Sequence, residues 1–532
     1  KAKSYSNASF QISRLNKELA RLSQTEIEAL PGVGKAISEK IATLLNTNKL
    51  PLLEELLSKT PKGVLEILNI KGLGPGKVKT IWEELKIESI GELLYACYEN
   101  RLALLKGFGE KTQTSVIQAI EFYNANREKF HFATLDQLAN ELVDALKNSL
   151  HLETISLTGA IRRKNNTLDQ IELIIGLEQT NTLEAIFKQH QINIEQKESN
   201  KWIGNINEQV PIHIYLCKPN AFAKELFLTT ATKEHLALLD SSKISNASNE
   251  TAIYQSMGLP YIEPELREGK NEIAWAKANK LPVLVTISDI KGMLHNHSTY
   301  SDGQDSLETM ATYCKELGYE YLGICDHSKT AVYAGGLKEN DIIRQHKEIE
   351  QLNAQLTPFK IFKGIESDIL NDGSLDYSDE VLASFDFVVA SIHSNLKMDE
   401  DKATARLIKA IENPYTSILG HPTGRLLLYR AAYPIDHKKV IDACVANNVI
   451  IELNANPYRL DIDWTHIPYA VEKGVKISIN PDAHKKSGYH DTYFGVCSAR
   501  KGGLTKTMTF NCLSKTEIEK YFIERKQQKS IM

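Results

Sequence analysis

Met293–Gly303 reads MLHNHSTYSDG, and the meaning of this stretch decides how the C-terminal half of the chain folds. His295 and His297 follow an apolar lead-in and stand two apart, as on an extended strand, so both imidazoles share one face and can share one metal ion. Asp302 follows in a loop rich in Ser, Asp and Gly. Further along, YLGICDHS carries His327, FKIFKGIESDIL carries Glu366, FDFVVASIHS carries His393, SILGHP carries His421, and VKISINPDAH carries Asp482 and His484. Helical stretches separate these short apolar runs, which points to an α/β domain of βα units. Functional groups in such a fold collect at the C-terminal ends of strands, where these residues fall. Imidazoles mixed with carboxylates suit Zn²⁺, Mn²⁺ or Fe²⁺, whereas Mg²⁺ and Ca²⁺ prefer oxygen alone. A carboxylate that bridges two cations is the usual machinery for cleaving phosphate esters.

Upstream, the first 130 residues read as helices, punctuated by three Gly pairs: Gly32 and Gly34, Gly72 and Gly74, Gly107 and Gly109. Each pair has an apolar residue before it and an amphipathic stretch after it, so the region is an internal repeat. Paired glycines let backbone N–H groups approach an anion at a helix N-terminus, and Lys35, Lys77 and Lys111 follow closely. With 19 Lys and Arg against 15 Asp and Glu, the region suits contacts to a DNA backbone without a strong electrostatic clamp. From about residue 135 an amphipathic segment leads into the alternating strands ETISLTGAIRRK, LDQIELIIGL and QVPIHIYLC. The basic run Arg162-Arg163-Lys164 fits either a phosphate contact or a solvated turn.

At 532 residues the chain exceeds one hydrophobic core, and three or four domains are expected. A composition of 42% apolar and 24% charged residues argues against a disordered chain, a collagen or a disulfide miniprotein. No apolar run approaches a membrane span, the opening KAKSYSNASF is polar, and the seven cysteines form no CxxC pair, all of which reads as a cytoplasmic protein with free thiols.

The motifs LHNHSTYSDG, ICDHS, GIESDI, ASIHS, LGHPTGR, ELNANP and INPDAH resemble, in order, those of the polymerase and histidinol phosphatase (PHP) superfamily. With RRKNNTL, GLPYIEPELREG and LPVLVTISDIKGMLHNH before them, nearly the whole chain resembles a bacterial family X DNA polymerase with a C-terminal PHP domain. The resemblance implies a multidomain α+β and α/β protein: a helix-hairpin-helix region over 1–134, a nucleotidyltransferase-like palm over 135–232, a small thumb and linker over 233–289, and a distorted seven-stranded β/α barrel over 290–532. It further implies three divalent metals, with His295, His297, Glu366 and Asp482 on the first, Glu366, His393 and His421 on the second, and Asp302, His327 and His484 on the third. The family's activity at such a site is a 3′–5′ exonuclease, usually with manganese, acting on gapped, 3′-ended or single-stranded DNA. Glu366, Asp482 and His393 are then the residues of the chemistry. Arg425 fits a substrate phosphate contact or a salt bridge equally well.

The same resemblance exposes a departure in the palm. The three carboxylate positions of the family hold Gln170, Glu172 and His213 here, and Ala160 replaces the nucleotide-binding serine. Nucleotidyl transfer needs a pair of Mg²⁺ ions held by anionic oxygens, and this set is too poor in them. Asp169 points to the opposite face of the strand from 170 and 172. The expectation is therefore a DNA-binding protein with a working PHP phosphoesterase and an inactive polymerase palm. The alternatives are a catalytically silent DNA-binding scaffold and a small-molecule phosphate ester hydrolase of the histidinol phosphatase type.

Overall fold

The structure, a computed structural model, describes residues 2–13, 15 and 17–529. The chain forms two compact units, Lys1–Arg127 and Glu128–Met532.

The first unit is helical among its described residues. Helices Lys35–Thr47 and Pro75–Leu85 are each capped by the second glycine of a pair, Gly34 and Gly74, in extended conformation. The first glycines, Gly32 and Gly72, take positive φ of 76° and 90°, which reverses the chain where a side chain would be strained. The third hairpin differs: Gly107 and Gly109 both have positive φ, and Gly109 opens helix Gly109–Asn126. In all three the residue between the glycines is buried. Val33 packs with Ala8 and Ile27, while Leu73 and Phe108 join the larger core around Ile67, Ile81, Leu93 and Ile120. The pinned middle residue and reversed backbone leave the glycines at the surface.

The second unit begins with a short antiparallel pair, β1 (Phe130–His131) against β3 (Thr167–Leu168). A five-stranded sheet follows, in the order β2 (Ile155–Leu157), β4 (Ile171–Gly176), β7 (Val210–Cys217), β6 (Lys201–Ile206) and β5 (Ile192–Lys197). Only β4 and β7 pair in parallel. Helix Phe132–Leu150 lays Leu135, Ala139 and Leu146 on Leu173, Ile175, Ile212 and Ile214, forming the palm core.

Seven parallel strands then run in sequence order: β8 (Gly292–Met293), β9 (Tyr321–Ile324), β10 (Lys360–Asp368), β11 (Phe387–Ser391), β12 (Thr416–Leu419), β13 (Ile450–Asn454) and β14 (Ile477–Asn480). A bridge between Asn296, after β8, and Ala483, after β14, brings the two edges together and nearly closes a barrel. Strands in this position are covered on both faces, which is why they read as unbroken apolar runs. Helix Lys515–Lys529 plugs the N-terminal end, with Phe522 stacked 4.9 Å from Phe387 and Ile518 beside it. The C-terminal strand ends are left to carry the polar residues. Contrary to the reading of MLHNH as one strand, the ladder of β8 stops at Met293, and His295 and His297 lie just beyond it. The last residues of the C-terminal stretch, 530–532, lie outside the described residues.

Candidate metal centre

Glu366, near the end of β10 and 1% exposed, is the hub of the barrel mouth. Its Oε1 lies 3.3 Å from His295 Nε2, 3.2 Å from His393 Nε2 and 3.0 Å from His421 Nε2. Its Oε2 lies 2.9 Å from His327 Nδ1 and 3.6 Å from His297 Nε2. Asp482 Oδ1 stands 3.0 Å from His297 Nε2 and 3.7 Å from His295 Nε2. Asp302 faces His484 Nε2 at 3.3 Å and His327 Nε2 at 3.5 Å. Side chains separated by up to 189 positions thus converge because neighbouring strands and the loops after them carry them.

Three sets of side chains bring ligand atoms within 4.8 Å of one another: His297, Asp302, His327 and His484; His295, His297 and Asp482; His327, Glu366 and His393. His421 stands outside these sets, although its Nε2 touches Glu366. Buried His295 Nε2, His297 Nδ1, His327 Nδ1, His421 Nδ1 and Glu366 Oε2 make no well-aligned hydrogen bond, although His327 Nδ1 and Glu366 Oε2 lie 2.9 Å apart. Leaving such atoms unpaired costs about 1–3 kcal/mol each, and coordination would satisfy them. The cluster is a metal-binding centre in its chemistry, with nitrogen and carboxylate donors suited to a transition metal.

The electrostatics are those of a tightly packed mixture of imidazoles and carboxylates. Burial works against charge on His295, but the surrounding Glu452, Glu366 and Asp482 carboxylates hold its pKa well above the ordinary value. His297 goes the other way, down to about 3, through burial and its neighbours His484 and His327. Burial opposes the Glu366 charge, yet His393, His295 and His327 keep its pKa well below the usual range. The cluster opens towards solvent at Asp302 and His484, whose side chains are 22% and 36% exposed.

Behind these residues stands a set of partners that the sequence reading did not pick out. Glu452, fully buried on β13, accepts from His295 Nδ1 at 2.7 Å and from the His421 backbone N–H at 2.7 Å. Asp368 accepts from His393 Nδ1 at 2.6 Å. Both hydrogen bonds turn Nε2 towards Glu366 and fix the tautomer. Asn454 Nδ2 donates to Asp482 Oδ2 at 3.0 Å, and Asp482 itself has φ of 52°, a strained value for a non-glycine residue. Asp326 gathers Ser298, Ser301 and Gln345, fixing the loop that carries Asp302. The available signal is the period of two: Asp368 lies two residues from Glu366, and Glu452 two from Asn454. Arg425 donates to Asp463 at 2.6 Å and to the carbonyls of Arg459 and Leu460, so it is held in a salt bridge. Arg459 is instead the guanidinium at the mouth, with Nε 3.6 Å from Asp482 Oδ2 and the side chain 19% exposed.

The palm presents a different picture. Glu172 and His213 are register partners on β4 and β7, and Gln170 lies in the bend before β4. Glu172 Oε2 accepts from the Ala160 backbone N–H at 3.0 Å, and Oε1 accepts from Tyr215 Oη at 3.3 Å. The carboxylate lies so close to Gly159 that a Cβ there would overlap it. Burial and then Lys201 lower the pKa of His213. Asp169 is exposed. Arg162, Arg163 and Lys164 are paired with Glu250 at 2.5 Å, Glu268 at 3.0 Å and Asp136 at 3.4 Å. That basic run is therefore neither a solvated turn nor free for a triphosphate.

In the helical unit, a Cβ added at Gly34, Gly72, Gly74, Gly107 or Gly109 would meet nothing within 4 Å. The hairpin backbones are open on that side. Lys77 Nζ reaches the Gly72 carbonyl at 3.3 Å, while Lys35 and Lys111 are placed at the starts of their helices.

Comparison with known proteins agrees with this layout. Residues 293–456 match the PHP domain, and residues 64–121 match the SAM-like helix-hairpin-helix tandem. The chain is 32% identical over 543 aligned positions to the DNA polymerase/3′-5′ exonuclease PolX of Bacillus subtilis, covering 96% of this chain and 95% of that one. A probable phosphatase of Thermoanaerobacter sp. is 28% identical over 190 positions, 34% of this chain and 75% of its own. A probable phosphatase of Caldanaerobacter subterraneus is 31% identical over 135 positions, 24% of this chain and 51% of its own. With both its hairpins and its barrel accounted for along one continuous match, the chain belongs to the family of bacterial family X DNA polymerases that carry a C-terminal PHP domain.

Proposed function

We propose that the barrel mouth hydrolyses phosphodiester bonds at DNA 3′ ends, and that the palm keeps its fold without polymerising. The observation that carries this is the surroundings of the two glutamates: imidazole nitrogens of His295, His297, His327, His393 and His421 crowd the oxygens of Glu366, whereas both oxygens of Glu172 are occupied by Ala160 and Tyr215. The PolX relative is named for both polymerase and 3′-5′ exonuclease activity; the second of these is the one this chain's residues support.

In this reading His295, His297, Glu366 and Asp482 hold one divalent ion, Glu366, His393 and His421 a second, and Asp302, His327 and His484 a third, with Mn²⁺ the first candidate before Zn²⁺ or Fe²⁺. Ions held there supply Lewis acidity and neutralise charge developing on the phosphate. The chain's own groups do the rest. Glu452 and Asp368 orient His295 and His393 through their Nδ1 atoms. Arg459 offers a cation to a substrate phosphate at the open side. The hairpin glycines, with Lys35, Lys77 and Lys111, hold the DNA backbone through N–H groups and charge. The substrate is a gapped, 3′-ended or single-stranded DNA of a bacterial cytoplasm.

The test is Mn²⁺-stimulated release of nucleotides from a 3′-ended oligonucleotide. It should require Glu366 and survive Glu172→Gln, and a primer-extension assay on the same preparation should give no product. Extension that disappears in Glu172→Gln would show the palm to be active. The likeness of the barrel to probable phosphatases favours a second reading, hydrolysis of a small phosphate monoester. The open hairpins stand against it, since a small substrate has no use for them, and turnover on single-stranded DNA against a generic phosphomonoester separates the two.

A further inference from the structure

Beside Arg459 two tyrosines stand exposed together. Tyr429 and Tyr458 are 62% and 51% exposed, with ring centroids 6.0 Å apart and planes inclined by 39°. Their loops are tied by a hydrogen bond from the Leu427 N–H to the Tyr458 carbonyl at 2.6 Å. Against both rings lies His131 at the end of β1, the strand that pairs with β3 of the palm; it is 8% exposed. Its ring centroid is 4.6 Å from that of Tyr458 and 5.9 Å from that of Tyr429, nearly parallel to the latter at 20°. His131 Nε2 lies 3.0 Å from the Leu427 carbonyl, a bond that it makes as the donor. Burial lowers the pKa of this imidazole, so near neutral pH it supports the tyrosines as an uncharged ring.

The position of the pair says what it meets. Tyr458 is the chain neighbour of Arg459, whose Nε is 3.6 Å from Asp482 of the metal centre, so one peptide bond ties the pair to a residue of the barrel mouth. Exposed aromatic faces beside a guanidinium match a strand of nucleic acid, with bases on the rings and phosphate on the cation. Only unpaired bases offer their faces in this way, because those of a duplex are stacked on one another.

Resting on the nuclease reading above, we infer that Tyr429 and Tyr458 form a stacking platform for unpaired bases of the strand being shortened, and that His131, joined to the palm through the β1–β3 pair, holds this platform in place. The palm then serves hydrolysis as a support, which gives its retained fold a use without polymerase chemistry. The strand at the barrel mouth is single-stranded near its 3′ end.

The experiment compares two single-stranded oligonucleotides of equal length on the full-length Mn²⁺-loaded protein, one with normal bases and one whose last nucleotides are abasic. Wild type should show a KM about tenfold lower for the base-bearing strand, roughly what one stacked base contributes. In the Tyr429→Ala/Tyr458→Ala double variant that preference should fall to near onefold. Tyr429→Phe/Tyr458→Phe should keep it, because the rings remain, and His131→Ala should lose part of it. Quenching of 2-aminopurine placed near the 3′ end should follow the same order. An alanine pair that keeps the full preference, or that raises KM equally on both strands, overturns the platform while leaving the nuclease reading in force. A wild type that hydrolyses neither strand removes the nuclease reading and the platform together.

Discussion

Two glutamates on parallel strands of the same unit show what separates the barrel from the palm. Glu366 on β10 is ringed by His295, His297, His327, His393 and His421. Glu172 on β4 faces His213, a single imidazole whose pKa is lowered chiefly by burial, and its carboxylate caps a backbone N–H above Gly159. A buried carboxylate surrounded by further donors is a metal site. In the function proposed above, a carboxylate hydrogen-bonded to its own chain, with Gln170 and His213 where anions are needed, acts as a structural element. Both glutamates stand on a strand with a parallel neighbour, so the difference lies in what the neighbouring strand ends carry and not in the pairing itself.

The largest contrast is expected on mutating the two residues alike. Glu366→Gln should lower Mn²⁺-dependent nucleotide release by more than the roughly 10–100-fold that loss of an outer partner costs, while Glu172→Gln should leave it within about twofold. Steady-state rates on one oligonucleotide decide this, and equal losses in the two variants would erase the distinction. Next in size come the partners behind the barrel ligands. Glu452→Gln and Asp368→Asn should each cost about 10–100-fold in activity or metal affinity, since each leaves a histidine unoriented. Metal content after dialysis against a weak chelator checks it. Truncating Arg459 to Ala should raise KM for DNA while leaving metal content as it was, because its guanidinium reaches Asp482 only at 3.6 Å.

The fold was legible in these contrasts to an unequal degree. The barrel could be read from βα alternation because parallel strands covered on both faces leave continuous apolar runs, and each run ends on its functional side chain. The three hairpins could be read from their glycine pairs because the positive φ at Gly32, Gly72 and Gly107 restricts what can stand there. Glu452 and Asp368 were not evident, since a buried carboxylate on an apolar strand looks the same whether it orients a ligand or pairs elsewhere. Arg425 and Arg459 are also indistinguishable by type. Only the fold shows that Asp463 holds the first and that the second lies beside Asp482. The pairing of Arg162, Arg163 and Lys164 is likewise a tertiary fact, dependent on Glu250, Glu268 and Asp136.

The smallest effect expected is a titration. Burial first, with Lys363 for His346 and His466 for His437, brings both barrel imidazoles down to about 4. The unfolded chain binds these protons near pH 6.5 and the folded one only near 4, so the stability they contribute is complete above about pH 6.5 and is lost as pH falls towards 4. His346→Gln and His437→Gln should therefore each flatten the fall in unfolding temperature between pH 6.5 and 4, by an amount reduced by the partial exposure of both rings. A slope unchanged from wild type would show that neither group is titrating there.

Crystals soaked in Mn²⁺ and a deoxynucleoside triphosphate, with anomalous scattering recorded at the manganese edge, put both glutamates to the test at once. Peaks among His295, His297, Asp302, His327, Glu366, His393, His421, Asp482 and His484, with none beside Glu172, are the expected result. A manganese peak and an ordered triphosphate next to Glu172, or a barrel mouth without a peak, would contradict it.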